Sequence, residues 1–413
     1  MSELAGVAWK VGIDGVTALM LGLIGLVGLA LALVHESGGP SESEGETMSS
    51  PYPWGAASLA MTGAVTCVIA REMALGAMGL LASVGALRFL VGPLDTRHSW
   101  RCGIKAVAPV MLAVAYSIAM LAGDEPSSHA EIDASRLLMF ASPVAPLPVV
   151  LAFAIGRDGG HVDRSRLLTY GIMIPTSQLA LARTMAHFDV SPDFAASISR
   201  VGAIGGVACV VAFGVLAWMR SSPVWRLSSV VAAQTGFVIA ACVPTVSGMI
   251  DVSADSTATS DVHGETVQCV LLIVAQAASS CLLTVALTTG GRTRLGSWLM
   301  ALGCFAVAGI PGTMAAIPRI AAILRNRAVD LPIGDGVPFT VIAFAGVAAL
   351  QIALGLLFIG TMRRRRERTE SFEKAAPSRT LPGVPLAALL LAATVVVFGL
   401  CPSILHAVGM RIR

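Results

Sequence analysis

The sequence predicts an all-α polytopic membrane protein, and three observations carry that reading. Of 413 residues, 55% are hydrophobic and only 13% charged, with a mean hydropathy of +0.78. A soluble domain usually carries about 25% charged residues. The apolar residues fall in long continuous blocks, which suits spanning helices and not the short alternating segments of a β-barrel. Charged and turn-forming clusters punctuate these blocks at intervals of roughly one bilayer crossing. Together these features exclude a soluble enzyme, a secreted disulfide scaffold and a nucleic-acid binder. The net charge of +3 is too small for a polyanion-binding surface.

Taken in order, the apolar runs lie at 13–34, 53–70, 73–92, 104–122, 137–156, 167–187, 200–219, 225–249, 266–289, 296–325, 339–362 and 384–406. Each is close to the roughly 20 residues that cross about 30 Å of hydrocarbon as a helix, giving about 12 spans. The first run is longer than the apolar stretch of a signal peptide and no A-x-A-like site follows it, so it reads as a retained span. The expected organisation is a single membrane domain, 1–413. It comprises N-terminal helices at 13–92, a first repeat region at 104–219, a second at 225–362 and a C-terminal helix at 384–406.

Loop charge predicts orientation. Arg97, Arg101 and Lys105, then Arg157, Arg164 and Arg166, then Arg220 and Arg226, Arg292 and Arg294, and the run Arg363–Arg366 all fall on odd-numbered loops. Acidic clusters such as Asp124, Glu125, Glu131 and Asp133, or Asp251, Asp255, Asp261 and Glu265, fall on even-numbered loops. By the positive-inside rule the odd loops are cytoplasmic and both termini lie outside. Glu42, Glu44 and Glu46, and Arg325 with Arg327, run against the pattern. The run at 363–374 reads first as a topology anchor and second as an anionic-lipid site.

Two runs are interrupted. The fifth (137–156) contains Pro143, Pro146 and Pro148, and the tenth (296–325) contains Pro311, Gly312 and Pro318. Proline removes a backbone donor and clashes one turn back, so both should kink or break. Broken helices at matching places in two halves point to inverted five-helix repeats with an ion path near the midplane. The 8 cysteines are scattered through apolar stretches without CxxC spacing, so they read as small buried hydrophobes rather than metal or redox ligands.

Several stretches together resemble the antiporter-like subunits of the respiratory complex I membrane arm, chains M and N of bacterial NADH-quinone oxidoreductase, which are related to Mrp-type antiporter subunits. VGIDGVTALML (11–21) is similar to the start of that family's third helix, and PVWRLSSVVAAQTGFV (223–238) to its KRLIAYSSVSHMGF segment. AVAGIPGTMAAIPRI (306–320) resembles its LAGLPG segment, VVVFGLCPSILHAVG (395–409) its closing pattern, and GGHVDRSR (159–166) its DAHVEAPT. These matches run in order over nearly the whole chain, and they would make the spans the family's third to fourteenth helices.

The resemblance implies proton passage along a buried chain of ionisable side chains, which are expensive in a bilayer and normally present for function. Transferred position by position, the family's fifth-helix glutamate falls near Leu80 or Leu81, its seventh-helix lysine near Pro146 and its eighth-helix lysine near Gln178. The histidines of its tenth and eleventh helices fall at Gln234 and Gln276. The broken twelfth helix alone keeps a charge, Arg319. Glutamine orients water but releases no proton, and arginine is not deprotonated in a protein. The remaining candidates have blander readings. Arg88 and Arg183 lie near span ends and read as snorkelling groups. Lys105 reads as a loop anchor. His161, with Asp158 and Asp163, reads as a solvated loop cluster before a proton inlet.

The expected function is therefore a membrane-arm subunit of a proton-translocating complex I-like assembly, with pumping weakened or lost. A non-conducting structural subunit and a cation/proton antiporter subunit are the alternatives. The antiporter needs a buried carboxylate, and only Asp14, near a span end, offers one. No glycine-rich dinucleotide fingerprint or cluster-type cysteine spacing occurs. The resemblance accordingly implies no cofactor on this chain; NADH, FMN, iron–sulfur clusters and quinone belong to partner subunits. It also implies hydrophobic membrane-arm partners, the lipid bilayer of a bacterial inner membrane, and no nucleic acid.

Overall fold

The computed structural model describes residues 13–36, 52–71, 73–86, 137–138, 141, 144–154, 164–187, 191–220, 222–252, 259–288, 294–325, 330–331, 337–338, 354–355, 359, 383–401, 403–404 and 407. The 104–122 run and nearly all of the 339–362 run lie outside these residues, as do Pro143, His161, Arg88, Lys105 and the Arg363–Arg366 cluster.

The described helices are α1 (Gly15–Glu36), α2 (Tyr52–Ile69), α3 (Met73–Gly85), α4 (Leu147–Ala154), α5 (Arg164–Leu168), α6 (Ile174–His187), α7 (Pro192–Met219), α8 (Pro223–Val252), α9 (Thr259–Thr288), α10 (Arg294–Ala308), α11 (Ala316–Arg325) and α12 (Gly383–Leu400). A two-residue antiparallel ladder joins β1 (Asp330–Leu331) to β2 (Val337–Pro338). Among the described residues, five helices hold a segment long and apolar enough to cross a membrane: Gly15–Val34, Ser197–Met219, Pro223–Ala241, Val267–Leu287 and Gly383–Leu400.

Local chemistry sets the boundaries. Asp14 starts α1 by accepting the Thr17 N–H on Oδ1 at 2.7 Å, the usual N-cap geometry. Ser191 and Pro192 open α7, and Pro223 opens α8, where its missing N–H is one the helix would leave unpaired anyway. α7 and α9 begin several residues before their apolar runs, through polar first turns that hydropathy does not register, and α8 runs slightly past its own at both ends.

α5 and α6 form one continuous helix through a π-helical turn, Thr169–Met173. Pro175 explains it. Its ring would meet the carbonyl four residues back, and the widened turn relieves that contact while Ile174 N–H reaches the Thr169 carbonyl.

Burial ranks the helices. The apolar segment of α9 is 94% buried and that of α8 is 78%, against 33% for α7 and 28% for α12. α9 is thus the central post, packed on α1, α8, α10 and α12. α7 sits flush on α8: a Cβ on Gly206 would lie 2.5 Å from the Gly236 carbonyl oxygen, so the backbones touch as small residues permit between membrane helices.

Candidate functional site

The tenth apolar run is two helices with a break between them. α10 ends in a Schellman arrangement: Gly309, at φ +72°, donates to the Ala306 carbonyl and Ile310 to the Phe305 carbonyl, each at 3.1 Å. That pattern leaves the Val307 and Ala308 carbonyls without a backbone partner. The break then runs through Gly312, also left-handed at φ +89°, to a turn in which Ile310 O accepts the Thr313 N–H and Oγ1–H. Met314 N–H donates to Val395 O of α12 at 3.1 Å, and Gly399 lies against the Gly312–Thr313 backbone so closely that a Cβ there would overlap it.

Arg319, buried on the first turns of α11, reaches back to the open end of α10. It donates from one terminal nitrogen to Ala308 O at 2.6 Å and from the other to Val307 O at 3.0 Å, and its guanidinium lies 5.4 Å over the Phe237 ring. The cation therefore faces the negative end of a helix dipole and an aromatic face. No carboxylate pairs with it among the described residues.

Gln234 of α8 meets the same acceptor. Its Nε2 donates to Val307 O at 2.9 Å, while its Oε1 accepts from Ser280 Oγ of α9 at 3.2 Å. One turn away, Gln276 Nε2 donates to Thr235 Oγ1 at 3.0 Å, and Gln276 Oε1 accepts from Gln178 Nε2 of α6 at 3.1 Å. The result is a buried polar line across α6, α9, α8 and the helix break. Two hydrogen-bonded branches on neighbouring turns compose it, Gln178–Gln276–Thr235 and Ser280–Gln234–Val307 O–Arg319, and between them they hold four of the residues proposed from the sequence, Gln178, Gln276, Gln234 and Arg319.

The direction of each donor decides what this line can do. From Gln178 the donors run to Gln276, to Thr235, and from Thr235 Oγ1 to the Val231 carbonyl at 2.9 Å. On the other branch, Ser280 donates to Gln234, and Gln234 and Arg319 both end on carbonyl oxygens. Both branches end on peptide carbonyls, and no described member is a carboxylate, imidazole or amine that could bind and release a proton. Among the described residues, Gln178 Oε1 and the Ser279 hydroxyl, which can donate or accept, are buried without a partner.

Arg183 sits apart from the line. The sequence places it near a span end, as a snorkelling group; in the structure it is half-buried and bonds to the ends of neighbouring helices. One terminal nitrogen donates to Cys67 O and Ala70 O, both at 3.1 Å, and the other to Thr17 Oγ1 at 3.3 Å. It closes the C-terminus of α2 and ties α6 to α1. Open carbonyls outcompete water here because they lie within reach at a helix end. In the fifth run, the described residues bend at Ala145–Pro146 before α4, with Pro146 exposed and Pro148 buried within α4. His161 lies outside the described residues.

Thr235, Ser280 and Phe237 join the site without having been singled out in the sequence. A usable signal was present: Gln276, Ser279, Ser280 and Thr284 are spaced to share one face of an otherwise apolar helix, and all are buried. Among the described residues no cluster of three or more His, Cys, Asp or Glu could hold a metal ion.

No family model matches the sequence, and no curated protein matches it. Solved structures do. The fold is similar to a chain of respiratory complex I from Thermus thermophilus with bound NADH, at a TM-score of 0.72 and 16% identity over 98% of this chain and 85% of that one. It is similar to a chain of the membrane-bound sulfane sulfur reductase, an archaeal respiratory membrane complex, at 0.70 and 14% over 98% and 84%. A chain of the Mrp complex from Dietzia sp. DQ12-45-1b gives 0.67 and 13% over 98% and 85%. At such identities the likeness is one of fold: an all-α polytopic membrane protein, distantly related in structure to subunits of these complexes.

Proposed function

We propose that the chain is a membrane-arm subunit of a complex I-like respiratory assembly, and that its buried polar line braces the helices without relaying protons. The carrying observation is that both donor branches end on peptide carbonyls, with Arg319 fixed on the end of α10. A relay needs groups whose proton affinity swings as their neighbours change charge. Amides, alcohols locked as donors and a guanidinium do not supply that.

The reading includes about twelve spans in two inverted five-helix units, basic loops toward the cytoplasm and a place in the inner membrane. Electron donors, flavin, iron–sulfur clusters and quinone would be held by partner subunits. This favours the non-conducting form of the expected function over a pumping one, and the antiporter is the least supported.

Two measurements test it. The protein isolated in mild detergent should carry other hydrophobic membrane subunits with it; a chain that elutes alone contradicts membership of a membrane arm. In reconstituted vesicles, proton flux should stay at the level of empty vesicles for both the unaltered chain and Arg319→Ala. Flux that is present and falls on that substitution would show that the line conducts.

A further inference from the structure

Among the described residues the helix break is uncovered, at a depth where lipid cannot satisfy it. α10 is 15 residues long and α11 is 10, so about 22 Å of helix precedes the break and about 15 Å follows it. The break is level with Gln234 and Phe237, which lie about 16 and 21 Å along α8 from Pro223. Both measures put it inside a hydrocarbon layer about 30 Å thick.

At that depth Ile310 is 37% exposed, and Pro311 and Gly312 are exposed with it. Gly312 N–H donates to no described residue, and a Cβ built on Gly312 meets nothing within 4 Å. Irregular backbone at membrane depth persists only against protein or beside water. The surroundings of this opening are not polar: Phe305 is 50% exposed, and Ile317 and Ile320 are each 51% exposed. Trp298 continues the same face of α10. The exposed residues of α7, Val201, Val211 and Val215, sit by contrast on uninterrupted helix whose backbone is satisfied internally, so lipid suffices there.

We propose that the face formed by Trp298, Phe305, Ile310, Gly312, Ile317 and Ile320 is a subunit interface. A transmembrane helix of a neighbouring membrane subunit covers it and presents a hydrogen-bond acceptor to the Gly312 N–H. This rests on the multi-subunit reading above and adds where the contact falls. The partner's chemistry follows from the face: apolar along its length, with one hydroxyl, amide or opened carbonyl at the level of the break.

Site-specific photocrosslinking in the complex as isolated from membranes tests the assignment. Benzoylphenylalanine replaces Phe305 or Ile320 on the face, and Val211 or Val215 on α7 as controls. Adducts from Phe305 and Ile320 should map by mass spectrometry to one and the same transmembrane segment of a co-purifying subunit, while the α7 positions label lipid. Adducts from Phe305 and Ile320 to lipid alone, or to this chain's own 339–362 run, would overturn the proposal. Ile320→Trp, bulkier but still apolar, should lower the recovered partner about fivefold or more with the unfolding temperature of the isolated chain unchanged; unchanged recovery counts against it. If no membrane subunit co-purifies, the multi-subunit reading fails; if subunits co-purify and crosslink only elsewhere, this interface alone fails.

Discussion

Two helix ends in this protein meet the same difficulty with the same residue type. The C-terminus of α2 and the C-terminus of α10 both leave carbonyl oxygens open inside an apolar bundle, and both are closed by an arginine: Arg319 with two guanidinium nitrogens, Arg183 with one that serves both carbonyls while its second holds the Thr17 hydroxyl of α1. They differ in reach. Arg319 acts on carbonyls 11 and 12 residues before it, across a single break. Arg183 acts on carbonyls 116 and 113 residues away and also holds a hydroxyl 166 residues away. The first is a local cap that shapes one broken helix, and the second is a stitch between three helices. Arginine serves both because its planar fork satisfies several acceptors at once and stays charged.

The difference in burial makes the two ends unequal in energy. Arg319→Ala should be the most damaging single change: it strands the buried Ala308 carbonyl and takes one of two donors from the Val307 carbonyl, which Gln234 still holds, for a loss of about 2–3 kcal/mol in the unfolding of the purified chain in detergent. Arg319→Lys should recover part of that loss, since one ammonium reaches one carbonyl well and two poorly. Arg183→Ala should cost less, about 1–2 kcal/mol, because the side chain is only half-buried and water can replace some of its bonds. If Arg183→Ala proves the more damaging, the ranking of local cap over long stitch is broken.

Coupling sharpens the same comparison. Arg319→Ala combined with Gln234→Leu should depart from additivity by at least about 0.5 kcal/mol, because both side chains bond the Val307 carbonyl. Arg319→Ala combined with Arg183→Ala should add, since the two ends share no partner. Thermal unfolding of the four variants decides it. Gly309→Ala should give the smallest loss, about 1 kcal/mol. The left-handed backbone at φ +72° disfavours a Cβ, and the new methyl would sit 2.8 Å from an Arg319 nitrogen whose side chain must then shift. A Gly309→Ala variant as stable as the parent would mean that Arg319 does not depend on the α10 turn for its position.

Much of this was legible in the chain itself. Pro311, Gly312 and Pro318 announce the interruption of the tenth run, and the lone charge at Arg319 marks where something beyond packing is needed. Gln178, Gln234 and Gln276 were singled out through the family resemblance; the structure puts Gln178 and Gln276 in one hydrogen-bonded branch and Gln234 in a second on a neighbouring turn. Arg183 shows what a single helix does not reveal. Distance from a span end is a statement about one helix, whereas the carbonyls that draw this side chain inward belong to another. Thr235 and Ser280 were missed for a related reason: a hydroxyl on an apolar helix looks unremarkable until its neighbour proves to be an amide.

What the sequence by itself determined is the solvent each segment lives in and the places where helices must stop. Both follow from hydropathy and from proline and glycine chemistry acting within a few residues. What only the tertiary structure decided is which donors meet which acceptors. Hydrogen bonds are short and directional, so which carbonyl, hydroxyl or amide each of the three glutamines and Arg319 meets depends on ångström-scale placement of α6, α8, α9 and the break. That placement comes from the packing of all of them together.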